Sequence, residues 1–209
     1  MQIELPAIGT RARIDVPGDR PMDDDEFFEF CMKNQDLRIE RDANGKIIIM
    51  PPSGFETEHR NLEICRQLGN WAEVDGRGLA SGSNTEFFLP NRAARGPDAA
   101  WISASRLEQF SEQEVRKFLH LCPEFVVELV SPSDRLNKVK AKMREWIENG
   151  VVLGWLIDAD HRTVHVYRPQ RDPEVLVDVD HIDGEGPVEG FRLELTRIWK
   201  RLKPPGRPL

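Results

Sequence analysis

A single carboxylate interrupts an otherwise apolar segment of the chain. Residues 125–130 read Phe-Val-Val-Glu-Leu-Val, a run that predicts a buried β-strand with Glu128 inside it. Burying an ionised carboxylate without a partner is costly. Glu128 therefore either pairs with a lysine or binds a metal ion, and the residues alone leave both interpretations open.

A second carboxylate, Asp98, lies in another predicted strand at residues 97–102. The alternation of side chains along a strand places Asp98 on one face, together with Ala100 and Ile102. Two carboxylates near the ends of neighbouring strands can hold one hard divalent cation, because Mg²⁺ needs only one or two carboxylates and keeps several waters. Asp98 and Glu128 are thus candidate ligands for Mg²⁺ or Mn²⁺. The structural alternative is that Asp98 only caps a turn.

A predicted helix that follows the Glu128 strand supplies lysines. Lys142 flanks the apolar stripe of this helix on one side and Lys140 flanks it on the other, so either can reach the strand, whereas Lys138 points away. A lysine beside the two carboxylates would orient an attacking water and neutralise charge on a phosphate. The stripe itself is formed by Leu136, Val139, Met143, Trp146 and Ile147.

The remaining patterns predict one α+β domain. Asn44-Gly45 between two strand-like runs is typical of a hairpin. Ser133 or Asp134 is expected to cap the lysine-bearing helix, and Gly150 to end it. Further predictions are helices at 23–33 and 57–74, a polar helical segment at 103–121, and strands at 37–41, 46–50, 86–89, 151–157, 163–167 and 175–179.

Composition limits the function classes. The chain has 209 residues, which fits a single domain at 21–200 between an N-terminal arm at 1–20 and a tail at 201–209. A net charge of −7 argues against a protein that coats nucleic acid through bulk electrostatics. Three widely spaced cysteines indicate reduced thiols. Neither a secretion signal nor a membrane span is expected, so the cytoplasm is the predicted location.

Four segments together resemble the Uma family, whose members are restriction-endonuclease-like proteins of the PD-(D/E)xK nuclease superfamily. The combination of Glu-x-x-Ser-Pro-Ser-Asp with the other three segments is specific, and the resemblance covers roughly residues 22 to 200. The segments are Gly-Pro-Asp-Ala-Ala-Trp-Ile at 96–102, Cys-Pro-Glu-Phe-Val-Val-Glu-Leu-Val-Ser-Pro-Ser-Asp at 122–134, Ala-Lys-Met-Arg-Glu-Trp-Ile-Glu-Asn-Gly at 141–150 and Leu-Gly-Trp-Leu-Ile-Asp at 153–158.

The resemblance implies a core β-sheet flanked by helices and Mg²⁺-dependent phosphodiester hydrolysis. Asp98 matches the PD aspartate and Glu128 the second carboxylate. The superfamily lysine would fall at Val130, which cannot serve, and in the Uma family a helix lysine that matches Lys142 takes over, with Lys140 as the alternative. The superfamily often adds an acid from the first core helix. Glu63 is the prediction here, and Glu56 and Glu58 are its competitors.

Three hypotheses follow from these residues. The first is a metal-dependent DNA endonuclease. The second is a catalytically inactive nuclease fold that acts as a nucleic-acid-binding or regulatory module, with Glu128 fixed by a lysine. The third is that the chain forms a homodimer, with exposed strand edges and the tryptophans Trp71, Trp101 and Trp155 at the interface. Packing in the core explains those tryptophans equally well.

Overall fold

The computed structural model describes residues 3–4 and 20–202. Most of the predicted arm at 1–20 and residues 203–209 of the predicted tail lie outside the described residues. The chain forms two compact units, which are described separately below. The first unit takes the described residues up to Pro52, with 84–96 and 108–122, and the second takes 53–83, 97–107 and those from Pro123 onwards. A single domain at 21–200 stays a prediction.

The first unit contains the predicted N-terminal helix and hairpin. Helix α1 is capped by Asp23, whose side chain accepts the Glu26 N–H while the Glu26 carboxylate accepts the Asp23 N–H. In the hairpin turn, Gly45 has a φ of +81°, a conformation that glycine adopts without steric cost. The strand order is β1-β3-β2-β6-β5. The bounds are β1 Ile3–Glu4, α1 Asp24–Lys33, β2 Arg38–Arg41, β3 Ile47–Met50, β5 Phe87–Phe88 and β6 Ala94–Arg95.

A buried arginine organises the core of this unit. Arg41 is 3% exposed and donates to the backbone carbonyls of Met22, Asp23 and Arg92. Its guanidinium also pairs with the Asp24 carboxylate and lies 4.9 Å from the centroid of the Phe27 ring. These contacts satisfy a charge that would otherwise be costly to bury. The apolar core around it consists of Met22, Phe27, Phe30, Cys31, Ile39, Ile47, Ile49, Phe88 and Ala94.

The second unit is built on a six-stranded mixed sheet with the order β11-β10-β9-β8-β7-β4. The β8 and β9 strands are parallel and joined by helix α4, while the other neighbouring strands are antiparallel. A two-stranded ribbon, β12-β13, completes the unit. The bounds are α2 Phe55–Asp75, β4 Gly78–Gly82, β7 Ala99–Ser103, α3 Ala104–Leu107, β8 Phe125–Leu129, α4 Leu136–Glu148, β9 Leu153–Asp158, β10 Thr163–Tyr167, β11 Glu174–Val177, β12 His181–Asp183, β13 Arg192–Glu194 and α5 Thr196–Trp199.

The two long helices cover opposite faces of this sheet. Strand alternation puts Phe125 on one face, where it joins the core that includes Ile64 and Leu68 of α2. The other face carries Gly154, where a Cβ would lie 2.6 Å from the Met143 Cε of α4. Glycine at this position lets α4 pack close to β9. Glu128 therefore faces α4, and the apolar core lies behind it.

The lysine-bearing helix begins differently from the prediction. Its N-cap is Arg135, and no side chain caps it. Asp134 does not cap the helix because its carboxylate accepts the Ser131 N–H at 2.8 Å, which closes the preceding turn instead.

Core packing, the alternative given for the tryptophans, is what the structure shows for two of them. Trp101 and Trp155 are 3% and 0% exposed and belong to the apolar core of the second unit. The homodimer itself stays a prediction.

Two segments also differ from their predicted secondary structure. The polar segment at 103–121 is helical only at Ala104–Leu107 and in a short 3₁₀ turn at Glu114–Arg116. A short strand at Ala94–Arg95 lies where no strand was predicted. Within the described part of the chain, no helix has the length and hydropathy needed to cross a bilayer.

Candidate active site

The two predicted carboxylates lie on neighbouring segments of the sheet: Glu128 is in β8, and Asp98 directly precedes β7. Ala99, the first residue of β7, lies opposite Val127, the residue before Glu128. The Asp98 N–H donates to the Val127 carbonyl at 3.0 Å, and the Leu129 N–H donates to Asp98 Oδ2 at 2.8 Å. The backbone of β8 thus orients the Asp98 carboxylate as well as carrying Glu128.

Two donors from helix α4 hold the Glu128 carboxylate. Lys142 Nζ lies 2.9 Å from Glu128 Oε1, and the Trp146 indole N–H donates to the same oxygen at 2.8 Å. Glu128 is 5% exposed, and the Lys142 side chain is 16% exposed. Lys142 and Trp146 are one helical turn apart, so both reach the same strand from one face of α4. The helix lysine predicted to reach Glu128 does so.

The alternative lysine lies elsewhere on the same face of the sheet. Burial lowers the pKa of His165 on β10, and the positive charge of Lys140 lowers this pKa further. Lys140 is therefore close to His165, two strands away from β8. Lys138 is exposed, as predicted. Of these three lysines, Lys142 is the one that the structure places on Glu128.

The acids of helix α2 point in different directions. Glu63 forms an ion pair with Arg66 at 2.5 Å and lies 3.7 Å from Arg197, and the hydrogen bond from Arg66 is the main reason that its pKa is lowered. Glu56 accepts from Arg60 at 3.1 Å and from the Leu202 N–H at 2.9 Å. The described partners of both carboxylates are therefore residues other than Asp98 and Glu128.

Cys65 of α2 lies next to Asp98 and is affected by the charge of Glu58. The Cys65 thiol donates to the Asp98 carbonyl at 3.3 Å. Burial raises the pKa of Cys65, and the negative charges of Asp98 and Glu58 raise it further. Both carboxylates therefore lie near this thiol. The assignment of Glu63, with Glu56 and Glu58 as its competitors, stays a prediction.

The donor set fits a hard divalent cation. Asp98 and Glu128 offer carboxylate oxygens, the ligand type that Mg²⁺ prefers, and two carboxylates suffice when water completes the shell. No group of three or more histidine, cysteine or acidic side chains positioned to hold a metal occurs among the described residues. A cation at this position would be held by Asp98 and Glu128, with water completing its coordination.

Sequence comparison identifies the family. Residues 24–196 match the family Uma2, which is described as "Putative restriction endonuclease". The chain belongs to the Uma2 family. A crystal structure of "a putative nuclease belonging to DUF820 from Anabaena variabilis" shares its fold, with a TM-score of 0.67 and 23% identity over 86% of this chain and 98% of that one. No match was found among curated proteins.

Trp146 is the residue of this Uma2 site that sequence reasoning missed. It was assigned only to the apolar stripe of α4, yet its N–H bonds to Glu128. The signal was available, because a buried tryptophan usually finds an acceptor for its N–H. Glu128, in the apolar strand that the helix follows, was the evident acceptor.

The histidines take no part in the contacts around Asp98 and Glu128 that the structure describes. His59 is exposed and stacks on Phe55, with ring centroids 6.4 Å apart. The His161 Nδ1 lies 2.8 Å from the carboxylate of Asp158, which also accepts the His161 N–H and so closes the β9–β10 turn. His161 thus has a structural role in this turn, and His165 is a buried residue of β10.

Proposed function

We propose that this protein is a Mg²⁺-dependent endonuclease that hydrolyses phosphodiester bonds of DNA. One observation carries the proposal: the ammonium of Lys142 lies 2.9 Å from the carboxylate of Glu128, at the strand pair that also carries Asp98. Glu128 and the basic residue Lys142 are thus paired, and Asp98 lies beside the neighbouring strand, in a chain that belongs to a family of restriction-endonuclease type. The base comes from a helix rather than from position 130 of the strand.

Each side chain has a distinct role in this proposal. Asp98 and Glu128 would bind the cation, which when bound lowers the pKa of a water and offsets negative charge on phosphate. The Leu129 N–H holds one oxygen of the Asp98 carboxylate, and the other oxygen would be the one to reach the cation. Lys142 would orient the attacking water and neutralise phosphoryl charge.

The net charge constrains how DNA would be bound. At −7, the chain does not attract DNA through its overall charge, so binding must depend on local contacts at the cation and Lys142. A homodimer would place two such sites on one duplex and allow both strands to be cut. DNA as substrate and the homodimer both belong to the proposal.

An inactive nuclease fold that binds nucleic acid or regulates a partner is the second candidate. One observation favours it: Glu128 is already paired with Lys142 and bonded to Trp146, so a buried carboxylate has protein partners even without a cation. In that case the ion pair is purely structural. Binding of Mn²⁺ that depends on Asp98 and Glu128 distinguishes the two candidates.

Cleavage by isosteric variants tests the proposal. We expect Asp98→Asn and Glu128→Gln each to reduce Mg²⁺-dependent nicking of supercoiled plasmid by about 10²-fold or more, because each removes a charge that acts on the transition state. Glu148→Gln, at an exposed position of α4, serves as the matched control and should nick like the wild type.

Two outcomes would contradict the proposal. One is that purified wild-type protein nicks no DNA in either Mg²⁺ or Mn²⁺. The other is nicking that persists in Glu128→Gln, which would point to a contaminating nuclease. Calorimetric binding of Mn²⁺ to the wild type without any cleavage would favour the inactive binding module.

A further inference from the structure

We infer that Trp146 is a positioning residue for the metal-binding carboxylate: its indole N–H keeps Glu128 oriented when Lys142 turns toward the substrate. This inference rests on the proposed function. It begins from the observation that one carboxylate oxygen, Glu128 Oε1, receives both the ammonium of Lys142 at 2.9 Å and the indole N–H of Trp146 at 2.8 Å.

The two donors differ in their freedom to move. Trp146 is 0% exposed and fixed in the packing between α4 and the sheet. Lys142 is partly exposed and carries its charge on a flexible four-carbon stem with three N–H donors. A phosphate that enters the site competes with Glu128 for the ammonium. The indole has no such competitor, because it is buried.

Trp146 then remains on Glu128 as a rigid donor at the moment when the orientation of the carboxylate matters. A carboxylate that ligates a metal is normally oriented by hydrogen bonds from outside the coordination shell, and loss of such a bond typically lowers metal affinity about 10–100-fold. In this site Trp146 supplies that bond from the same helix that carries the lysine. Lys142 can therefore serve the substrate while Glu128 stays in place.

Trp146→Phe tests the inference because it removes the N–H and keeps most of the ring. We expect the dissociation constant for Mn²⁺, measured by calorimetry on the full chain, to rise about 10-fold or more. Trp155→Phe is the matched control. Trp155 is also 0% exposed in this unit but faces the core on the opposite side of the sheet, so its variant should bind Mn²⁺ within about 2-fold of the wild type.

A second measurement needs no variant and so remains informative if Trp146→Phe fails to fold. The chain has five tryptophans, and their indole N–H groups give separate signals in a ¹⁵N-labelled sample. The signal assigned to Trp146 should shift as Mg²⁺ is added, with the same dissociation constant as a calorimetric titration with Mg²⁺. The signal of Trp155 should not move.

The outcomes separate this inference from the proposed function. If the wild type binds Mn²⁺, Glu128→Gln does not, and Trp146→Phe binds normally, the role of Trp146 is refuted and the proposed function stands. A Trp146 signal that stays fixed while Mg²⁺ saturates the site refutes it as well. If the wild type binds no divalent cation, both proposals fall together.

Discussion

At the scale of single residues, Lys142 has to neutralise Glu128 whenever no cation is bound. Glu128 is 5% exposed, and an ionised carboxylate buried to this extent is expensive without a counter-charge. Lys142 provides that charge from 2.9 Å. A divalent cation could take over the same task, so the fold should tolerate the loss of the lysine better in the presence of Mg²⁺.

Lys142→Met should therefore destabilise the cation-free protein. Removal of one partner from a buried ion pair typically costs about 3–5 kcal/mol, which corresponds to a fall in Tm of about 10 °C for a chain of this size. Mg²⁺ should raise the Tm of the variant more than that of the wild type, as measured by scanning calorimetry.

The matched control for this prediction is Lys138→Met on the exposed side of the same helix, which should leave the Tm nearly unchanged. If Lys142→Met melts at the wild-type temperature, the ion pair contributes no stability. If it is destabilised but does not respond to Mg²⁺, no cation replaces the lysine at Glu128.

At the scale of secondary structure elements, two glycines of the second unit have opposite constraints. Gly69 lies within α2, and a Cβ there would meet no neighbouring atom within 4 Å. Gly78 begins the edge strand β4, where a Cβ would lie 2.3 Å from the Ile102 carbonyl oxygen and 2.6 Å from the Trp101 ring. Glycine is thus required at Gly78 and only tolerated at Gly69.

Alanine at these two positions should have opposite effects on the free energy of unfolding. Gly69→Ala should stabilise the protein by about 0.5–1 kcal/mol, because alanine is the better helix former. Gly78→Ala should destabilise it by about 1–3 kcal/mol through overpacking against backbone and ring. Urea denaturation followed by far-UV circular dichroism measures both. Equal effects of the two substitutions would show that the close approach of β4 to β7 is not fixed.

The elements that carry the site were predictable, and several others were not. The strand with Glu128, the helix with Lys142 and the hairpin at Gly45 carry strong local patterns, and the structure confirms them. Strand β4, Gly-Leu-Ala-Ser-Gly, has no β-branched residue and forms because β7 offers it a pairing edge. Local sequence does not encode such an edge.

Some contacts at the site could not be predicted from the sequence, for a similar reason. Alternation along a strand and the face of a helix were enough to bring Glu128 and Lys142 together. They could not show which oxygen of Glu128 is bonded, nor that Glu63 is directed to Arg66 and Arg197. These contacts depend on the rotamers of long side chains, which the spacing of residues along the chain does not determine.

At the scale of the whole molecule, the chain divides into two units, each with its own apolar cluster. Asp98, Glu128, Lys142 and Trp146 all belong to the second unit. The first unit depends instead on Arg41, whose described contacts are with residues of that unit. Damage to Arg41 should therefore affect the first unit most.

Arg41→Ala should lower the free energy of unfolding by about 3 kcal/mol, since each buried acceptor left without a donor costs about 1–3 kcal/mol. Native-state hydrogen exchange should show the greatest loss of protection in β2 and β3. Arg20→Ala is the control. Arg20 pairs with Glu26 of α1 at an exposed position, so the loss of Arg20 should have little effect on stability. Equal loss of protection across both units would show that they unfold as one.

The location of the lysine on α4 has a consequence for how relatives of such proteins are recognised. The ammonium reaches Glu128 from a helix, although Val130 occupies the strand position where a search for Glu-x-Lys would look. A search for the Glu-x-Lys spacing would classify this chain as inactive. Selection can preserve the position of the ammonium beside the carboxylate, and a lysine on any helix or strand that reaches this position can supply it. Surveys of inactive homologues should therefore ask which charged groups reach the acid before counting a site as lost.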